Sequence, residues 1–146
     1  MKISLGVDHA GFDVKKNIID FLNMLGHEVK DCGTFSKDSC DYPDFAKEVA
    51  SDIVSGKTEK GILICGTGIG MSIAANKIKG IRAGVCWNEE TARLIALHNN
   101  ANIICMGARF VQLDEMYKML KVYLNTSFES RHSKRINKIS DMENLK

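Results

Sequence analysis

Hydrophobic and polar positions along the chain switch between two periods. Five short runs are rich in β-branched and aliphatic residues: Ile3–Asp8, His27–Cys32, Gly61–Cys65, Ile81–Cys86 and Asn102–Met106. Between them the apolar spacing turns helical. Val14, Ile18, Phe21, Leu22 and Leu25 share one face, and Gly26 follows as a stop signal. Pro43, the only proline, stands where a helix begins, ahead of Phe45, Ala46, Val49, Ala50, Ile53 and Val54, and Gly56 closes that helix. Asn88 followed by Glu89 and Glu90 reads as a cap with first-turn acids. Asp114 reads as the cap of a further helix that buries Met116, Met119, Leu120, Tyr123 and Leu124.

Strands alternating with helices require crossover connections, which place strands in parallel and cover both faces of the sheet. Gly61-Ile62-Leu63-Ile64-Cys65 suits such a strand, being apolar throughout rather than on alternate positions. The expected fold is therefore α/β: a three-layer αβα sandwich around a Rossmann-like five-stranded parallel sheet, with an extended C-terminal helix. Residues 1–146 are read as one domain. From about Phe128 the chain turns polar and basic, with a thin apolar stripe of Ile136, Ile139 and Met142. A helix of that kind holds weakly to its own domain, so 128–146 is expected to pack on a partner subunit.

Composition narrows the class. A net charge of +2 argues neither for nucleic acid nor for a membrane surface, and no segment has the length of a membrane span or the flanks of a signal peptide. The five cysteines (Cys32, Cys40, Cys65, Cys86, Cys105) are odd in number and form no C-x-x-C pair. That pattern indicates neither zinc nor a disulfide framework, and it predicts a cytoplasmic, reducing environment.

In parallel α/β sheets ligands bind beyond the carboxyl ends of the strands. Chemistry-bearing residues do follow the runs: Asp8-His9 the first, Cys65-Gly66-Thr67-Gly68-Ile69-Gly70 the third, Gly107-Ala108-Arg109 the fifth. The glycine loop lets successive backbone N–H groups curl around a small anion at the start of the next helix. It is no Walker loop, since no Gly-Lys-Ser/Thr follows, and Met71 stands where a dinucleotide fingerprint has its last glycine. Cys65 adjoins the loop at the positive end of a helix, a setting that favours thiolate, and a thiolate is a competent base. The other four cysteines lack that setting and read as structural.

These residues suit one reaction type in particular. An aldose–ketose isomerase needs a base for the proton beside the carbonyl, donors for the enediolate oxygens, an acid/base group to open the sugar ring, and cations for the phosphate. Cys65 fits the first, the N–H groups of Gly66–Gly70 with the Thr67 hydroxyl the second, and His98 the third. Arg109, Arg131 and Arg135 fit the fourth, the last two lying one helical turn apart. Taken singly, each has a plainer reading: His98 as a packing residue, Asp8-His9 as a turn, Arg131 and Arg135 as a solvated face, Tyr42 as core.

Gly-Val-Asp-His-Ala-Gly near the start, Asp-Tyr-Pro at 41–43 and Gly-Ile-Leu-Ile-Cys-Gly-Thr-Gly-Ile-Gly resemble the ribose-5-phosphate isomerase type B family. Ile-Ala-Ala-Asn-Lys, His-Asn-Asn-Ala-Asn and Arg-His-Ser-Lys-Arg extend the likeness from residue 2 to about 140. The resemblance implies interconversion of ribose 5-phosphate and ribulose 5-phosphate without metal or other cofactor. It implies Cys65 as proton acceptor and His98 as the ring-opening acid/base, with Asp8 and Thr67 handling hydroxyl protons. His9, Tyr42, Gly66, Gly68, Ile69, Gly70 and Asn99 become substrate contacts, and Arg109, Arg131 and Arg135 the phosphate side. It also implies a homodimer or dimer of dimers with sites at the subunit boundary.

Topology points the same way. The helix from Glu89 to Leu97 should descend to the amino ends of the strands, carrying His98 and Asn99 away from their own Cys65 and toward a neighbouring chain. The rival readings are an isomerase of six-carbon sugar phosphates (allose 6-phosphate or galactose 6-phosphate) and a non-catalytic phosphosugar sensor. A sensor has no use for a thiol at the loop.

Overall fold

The computed structural model describes residues 1–145. Its five strands are β1 (Lys2–Val7), β2 (Glu28–Asp31), β3 (Lys60–Cys65), β4 (Ala83–Val85) and β5 (Ile103–Gly107). Six α-helices join and follow them: α1 (Phe12–Met24), α2 (Tyr42–Val54), α3 (Ile69–Ala75), α4 (Glu89–Asn99), α5 (Leu113–Asn125) and α6 (Ser133–Met142). Every strand pairing is parallel, in the order β2-β1-β3-β5-β4. The expected α/β sandwich is thus what forms.

Two apolar cores hold the three layers together. On one face Ile3, Leu5, Ile62, Ile64, Ile104 and Met106 meet Ile18 and Leu22 of α1, Ala92 and Ala96 of α4, and Met116 and Leu120 of α5. On the other face Leu63, Cys65, Ile103 and Cys105 meet Ala46, Val49 and Ala50 of α2 and Met71 and Ala75 of α3. Alternate residues of β3 enter opposite cores, which explains its unbroken apolar run. Asp52 ties α2 to the sheet, accepting from the Ser4 hydroxyl at 2.8 Å and the Lys30 ammonium at 2.6 Å. Burial pushes its carboxyl up, but bonds from Lys30 and Ser4 outweigh that and hold it below its ordinary range.

Strand order decides where a ligand can enter. From β1 the chain first moves outward to β2, then crosses back to β3 on the other side of β1. The connections after β1 and β3 therefore part on opposite faces and leave a crevice outside their carboxyl ends. Asp8 and the loop after Cys65 open into it.

Helix ends follow local chemistry with one correction. At α4 the Asn88 side chain accepts the Thr91 N–H at 2.8 Å, and the Thr91 hydroxyl closes a reciprocal capping box. At α5 Gln112 takes the N-cap position, and Asp114 falls inside the first turn. Asp114 still faces the positive end of the helix dipole there without capping it.

The C-terminal segment forms a 3-10 turn at Ser130–His132 and then α6. Its apolar stripe divides: Ile136 is buried, whereas Ile139 and Met142 are exposed. Further contacts to its own chain run from the Gly80 N–H to Glu143 at 2.7 Å and from Lys79 to Asn144 at 2.8 Å. No helix among the described residues is long and apolar enough to cross a membrane.

Candidate active site

Ten of the residues singled out in the sequence gather at the carboxyl ends of the strands. Cys65 ends β3, buried, and its Sγ accepts the Gly68 N–H at 3.1 Å. The bond fixes the sulfur at the mouth of the loop. The Thr67 side chain is exposed beside it, with Oγ1 accepting the Ile69 N–H at 3.2 Å. Gly70 and Met71, in the first turn of α3, find no backbone acceptor outside their helix among the described residues. First-turn N–H groups have none inside it either, so both can donate to an oxyanion.

Neighbouring elements close around this loop. The Tyr42 ring lies so near Gly70 that a Cβ there would stand 2.6 Å from the ring. The Arg109 guanidinium covers Gly66, at 3.1 Å from where a Cβ would be, which places Arg109 beside the loop of its own subunit. Asp8 is buried and accepts from Ala10 N–H at 2.9 Å and Gly11 N–H at 3.2 Å, so it is both a turn residue and a carboxylate facing the crevice mouth. His9 accepts the Cys40 N–H on Nδ1 at 3.3 Å. Its neutral tautomer then carries the proton on Nε2, free to donate.

His98, Asn99, Arg131 and Arg135 sit elsewhere. α4 runs down from the end of β4 to the start of β5, and the Ala101 carbonyl just beyond it accepts from Lys60 at the foot of β3. The six-residue strand from Lys60 to Cys65 spans on the order of 15–20 Å at strand rise. His98 and its own Cys65 are therefore at opposite ends of the sheet.

Around His98 the chain assembles a second cluster. The Glu129 N–H bonds the Leu97 carbonyl at 2.9 Å, pinning the segment after α5 to the end of α4. The His132 ring packs against His98, with centroids 4.4 Å apart and the ring planes inclined at 39°. Arg131 Nε bonds Glu129 at 2.5 Å, and Arg135 Nη1 bonds His132 Nδ1 at 3.0 Å. Arg131 holds the Glu129 carboxyl below its ordinary range, while burial followed by the Arg131 charge pushes the His132 imidazole down. Donor atoms of His98, Glu129 and His132 lie within 4.8 Å of one another, a spacing that suits a metal ion. An arginine can only donate, however, so His132 Nδ1 must accept and its Nε2 carries hydrogen. A protonated nitrogen ligates no metal. Cys32, Glu48 and Asp52 are similarly close, but the Lys30 ammonium already occupies the carboxylates.

Comparison with known proteins identifies this arrangement. The sequence pattern of the Ribose/Galactose Isomerase family matches residues 3–139. The chain belongs to that family. Ribose-5-phosphate isomerase B of Escherichia coli (strain K12) is 43% identical over 143 residues, which cover 97% of this chain and 96% of that protein. Among solved structures, ribose-5-phosphate isomerase B of Clostridium thermocellum superposes with a TM-score of 0.96 at 48% identity, covering 98% of this chain and 97% of the other. The Mycoplasma genitalium enzyme, solved with bound ribulose-5-phosphate, gives a TM-score of 0.94 at 40% identity, covering 99% and 97%.

In this ribose/galactose isomerase three of the remaining thiols are buried, and Cys40 is half-buried with Sγ 3.7 Å from His9 Nδ1. Burial pushes Cys32 and Cys86 up to about 12 and Cys105 well above its ordinary value, which keeps all three inert. Sequence reasoning passed over Glu129 and His132. The signal for His132 lay in its spacing, three residues before Arg135 and so on the same helical face.

Gly68 gives the loop a direct test. Its φ is +79°, and a Cβ would stand 3.0 Å from the Met106 carbonyl carbon, backbone that cannot yield. Gly68→Ala is expected to cost about 1–3 kcal/mol, from the left-handed backbone and the close approach together. Urea denaturation measures the loss, and an unchanged midpoint contradicts the geometry.

Proposed function

We propose that this chain interconverts ribose 5-phosphate and ribulose 5-phosphate through an enediolate, with Cys65 as the base. The observation that carries this is the Cys65 sulfur, held by the Gly68 N–H at 3.1 Å in a loop flanked by Thr67 and Arg109. Once the furanose is open, the thiolate removes the C2 proton of the aldose, and the electron pair moves toward O1. The Gly70 and Met71 N–H groups and the Thr67 hydroxyl hold the resulting oxyanion. Return of the proton to C1 yields the ketose, while Asp8 relays the hydroxyl proton between O2 and O1. His9, Tyr42, Gly66, Gly68, Ile69 and Asn99 line the sugar. The net change is a proton shift within the substrate, carried by Cys65 and Asp8, and calls on no metal or nucleotide.

Ring opening falls to His98, and phosphate binding to Arg109 with Arg131 and Arg135. Since His98, Asn99, Arg131 and Arg135 lie a strand's length from the loop, they serve the loop of a second subunit. Phe35, Ile69, Ile73, Trp87 and Phe110 are exposed on the elements that leave the carboxyl ends, an apolar collar suited to that second copy. The segment from Phe128, whose last residue 146 lies outside the described residues, packs on that copy in a homodimer or dimer of dimers. Five free thiols suit a cytoplasmic setting.

Parallel assays on ribose 5-phosphate, allose 6-phosphate and galactose 6-phosphate test the substrate. Preference for the five-carbon ester is expected; a higher kcat/KM on either hexose phosphate rejects it. His98→Ala should lower turnover of the furanose by about 10²-fold or more while sparing an open-chain analogue such as erythrose 4-phosphate. Equal loss on both removes the ring-opening role.

A further inference from the structure

His132 is the most enclosed polar group in the second cluster, its side chain 7% exposed. One edge of the ring is committed: Nδ1 accepts from Arg135 at 3.0 Å. The opposite edge is not. Among the described residues Nε2 has no hydrogen-bond partner, with the nearest Glu129 oxygen 3.8 Å away. A buried N–H without an acceptor is destabilising, and an apolar side chain would fill the same space without that cost. An imidazole offers two things that a leucine cannot: an acceptor aimed at one guanidinium, and a flat ring against His98 at 4.4 Å between centroids.

We infer that His132 is a positioning residue, fixing the Arg135 guanidinium through Nδ1 and the His98 imidazole through the contact between the two rings. The inference rests on the functional reading above, in which Arg135 takes phosphate and His98 opens the sugar. An unheld arginine spreads over many rotamers, and ordering it on ligand binding weakens affinity. Arg135 is exposed, and the His132 bond is its one hydrogen bond among the described residues. The ring has the complementary duty. Glu129 approaches His98 from the turn after α5, but among the described residues only His132 lays an aromatic ring against it. Burial and the neighbouring positive charges keep the His132 ring neutral, so it supports His98 without adding charge beside it.

Two substitutions separate the duties. His132→Asn keeps an acceptor near the Nδ1 position and removes the ring; His132→Phe keeps the ring and removes the acceptor. For His132→Phe, the dissociation constant of inorganic phosphate by calorimetry and KM for ribose 5-phosphate should both rise about ten-fold, with kcat within about three-fold of the unaltered chain. For His132→Asn the opposite split is expected: phosphate affinity kept within about two-fold and kcat lowered. A purely structural His132 would lower the melting temperature in both variants and move phosphate affinity in neither. Unmoved affinity in His132→Phe, or equal loss in both variants, overturns the inference. Should the phenylalanine fail to fold, His132→Gln also lacks the acceptor at that position and replaces it. Absence of turnover in the unaltered chain rejects the functional reading instead, while the phosphate calorimetry still reports on Arg135.

Discussion

Cys65→Ala is expected to reduce isomerisation of ribose 5-phosphate by about 10²–10⁴-fold, the range that a positioned general base supplies. Binding of the sugar phosphate should survive. The other polar groups of the crevice are suited to other duties. Thr67 is a hydroxyl with its oxygen already accepting from Ile69, and Asp8, with Oδ1 held by the Ala10 and Gly11 N–H groups, keeps Oδ2 for the hydroxyl relay. The sulfur, by contrast, receives a backbone N–H and makes no donor commitment. Removing it takes away one small buried group from the core that also holds Met71, Ala75 and Cys105, a site that loses little packing on going to alanine. Activity and stability should therefore separate. The decisive readout is exchange of the C2 hydrogen of ribose 5-phosphate with heavy water, followed by NMR. Calorimetric binding of the same ester runs in parallel. Exchange at the unaltered rate in Cys65→Ala would show that another group carries the proton.

How much of this was legible beforehand depended on how local each signal was. Strand and helix types followed from periodicity, since β3 is buried on both faces and α2 on one. The glycine loop was legible for a similar reason, as positive φ at Gly68 and the close approach of Tyr42 to Gly70 demand that residue type. The separation of His98 from Cys65 followed from topology alone, because a helix between two parallel strands must run back to the amino ends. What stayed hidden depends on long-range packing. Arg109 could have faced either its own loop or a neighbour's, and only the fold lays it over Gly66. His132 lay inside a recognised Arg-His-Ser-Lys-Arg run, yet its burial and the tautomer imposed by Arg135 come from the 3-10 turn packing on α4. Asp114 missed the cap because Leu113 already has helical geometry, a shift of two residues that composition does not resolve.

The largest gain of activity is expected from two inactive variants combined. Cys65→Ala and His98→Ala chains, each nearly inactive on furanose ribose 5-phosphate, should regain about a quarter of full turnover after being unfolded and refolded together in equal amounts. The arithmetic follows from a shared site. Each site takes its loop from one subunit and its histidine from the neighbour. With random pairing half the loops keep Cys65, half the facing histidines are intact, and the product is one site in four. The fraction is the same for a dimer and for a dimer of dimers, because only the pair at one boundary matters. A site built within one subunit predicts something different: every chain in the mixture carries one defect, so no pairing restores activity. The geometry favours the first outcome, since the strand from Lys60 to Cys65 separates the two residues and neither α4 nor the loop can shorten it without unpicking β3 from β5. Activity that stays at the level of the separate variants, in a mixture shown by mass to contain mixed oligomers, would place His98 and Cys65 in different roles altogether.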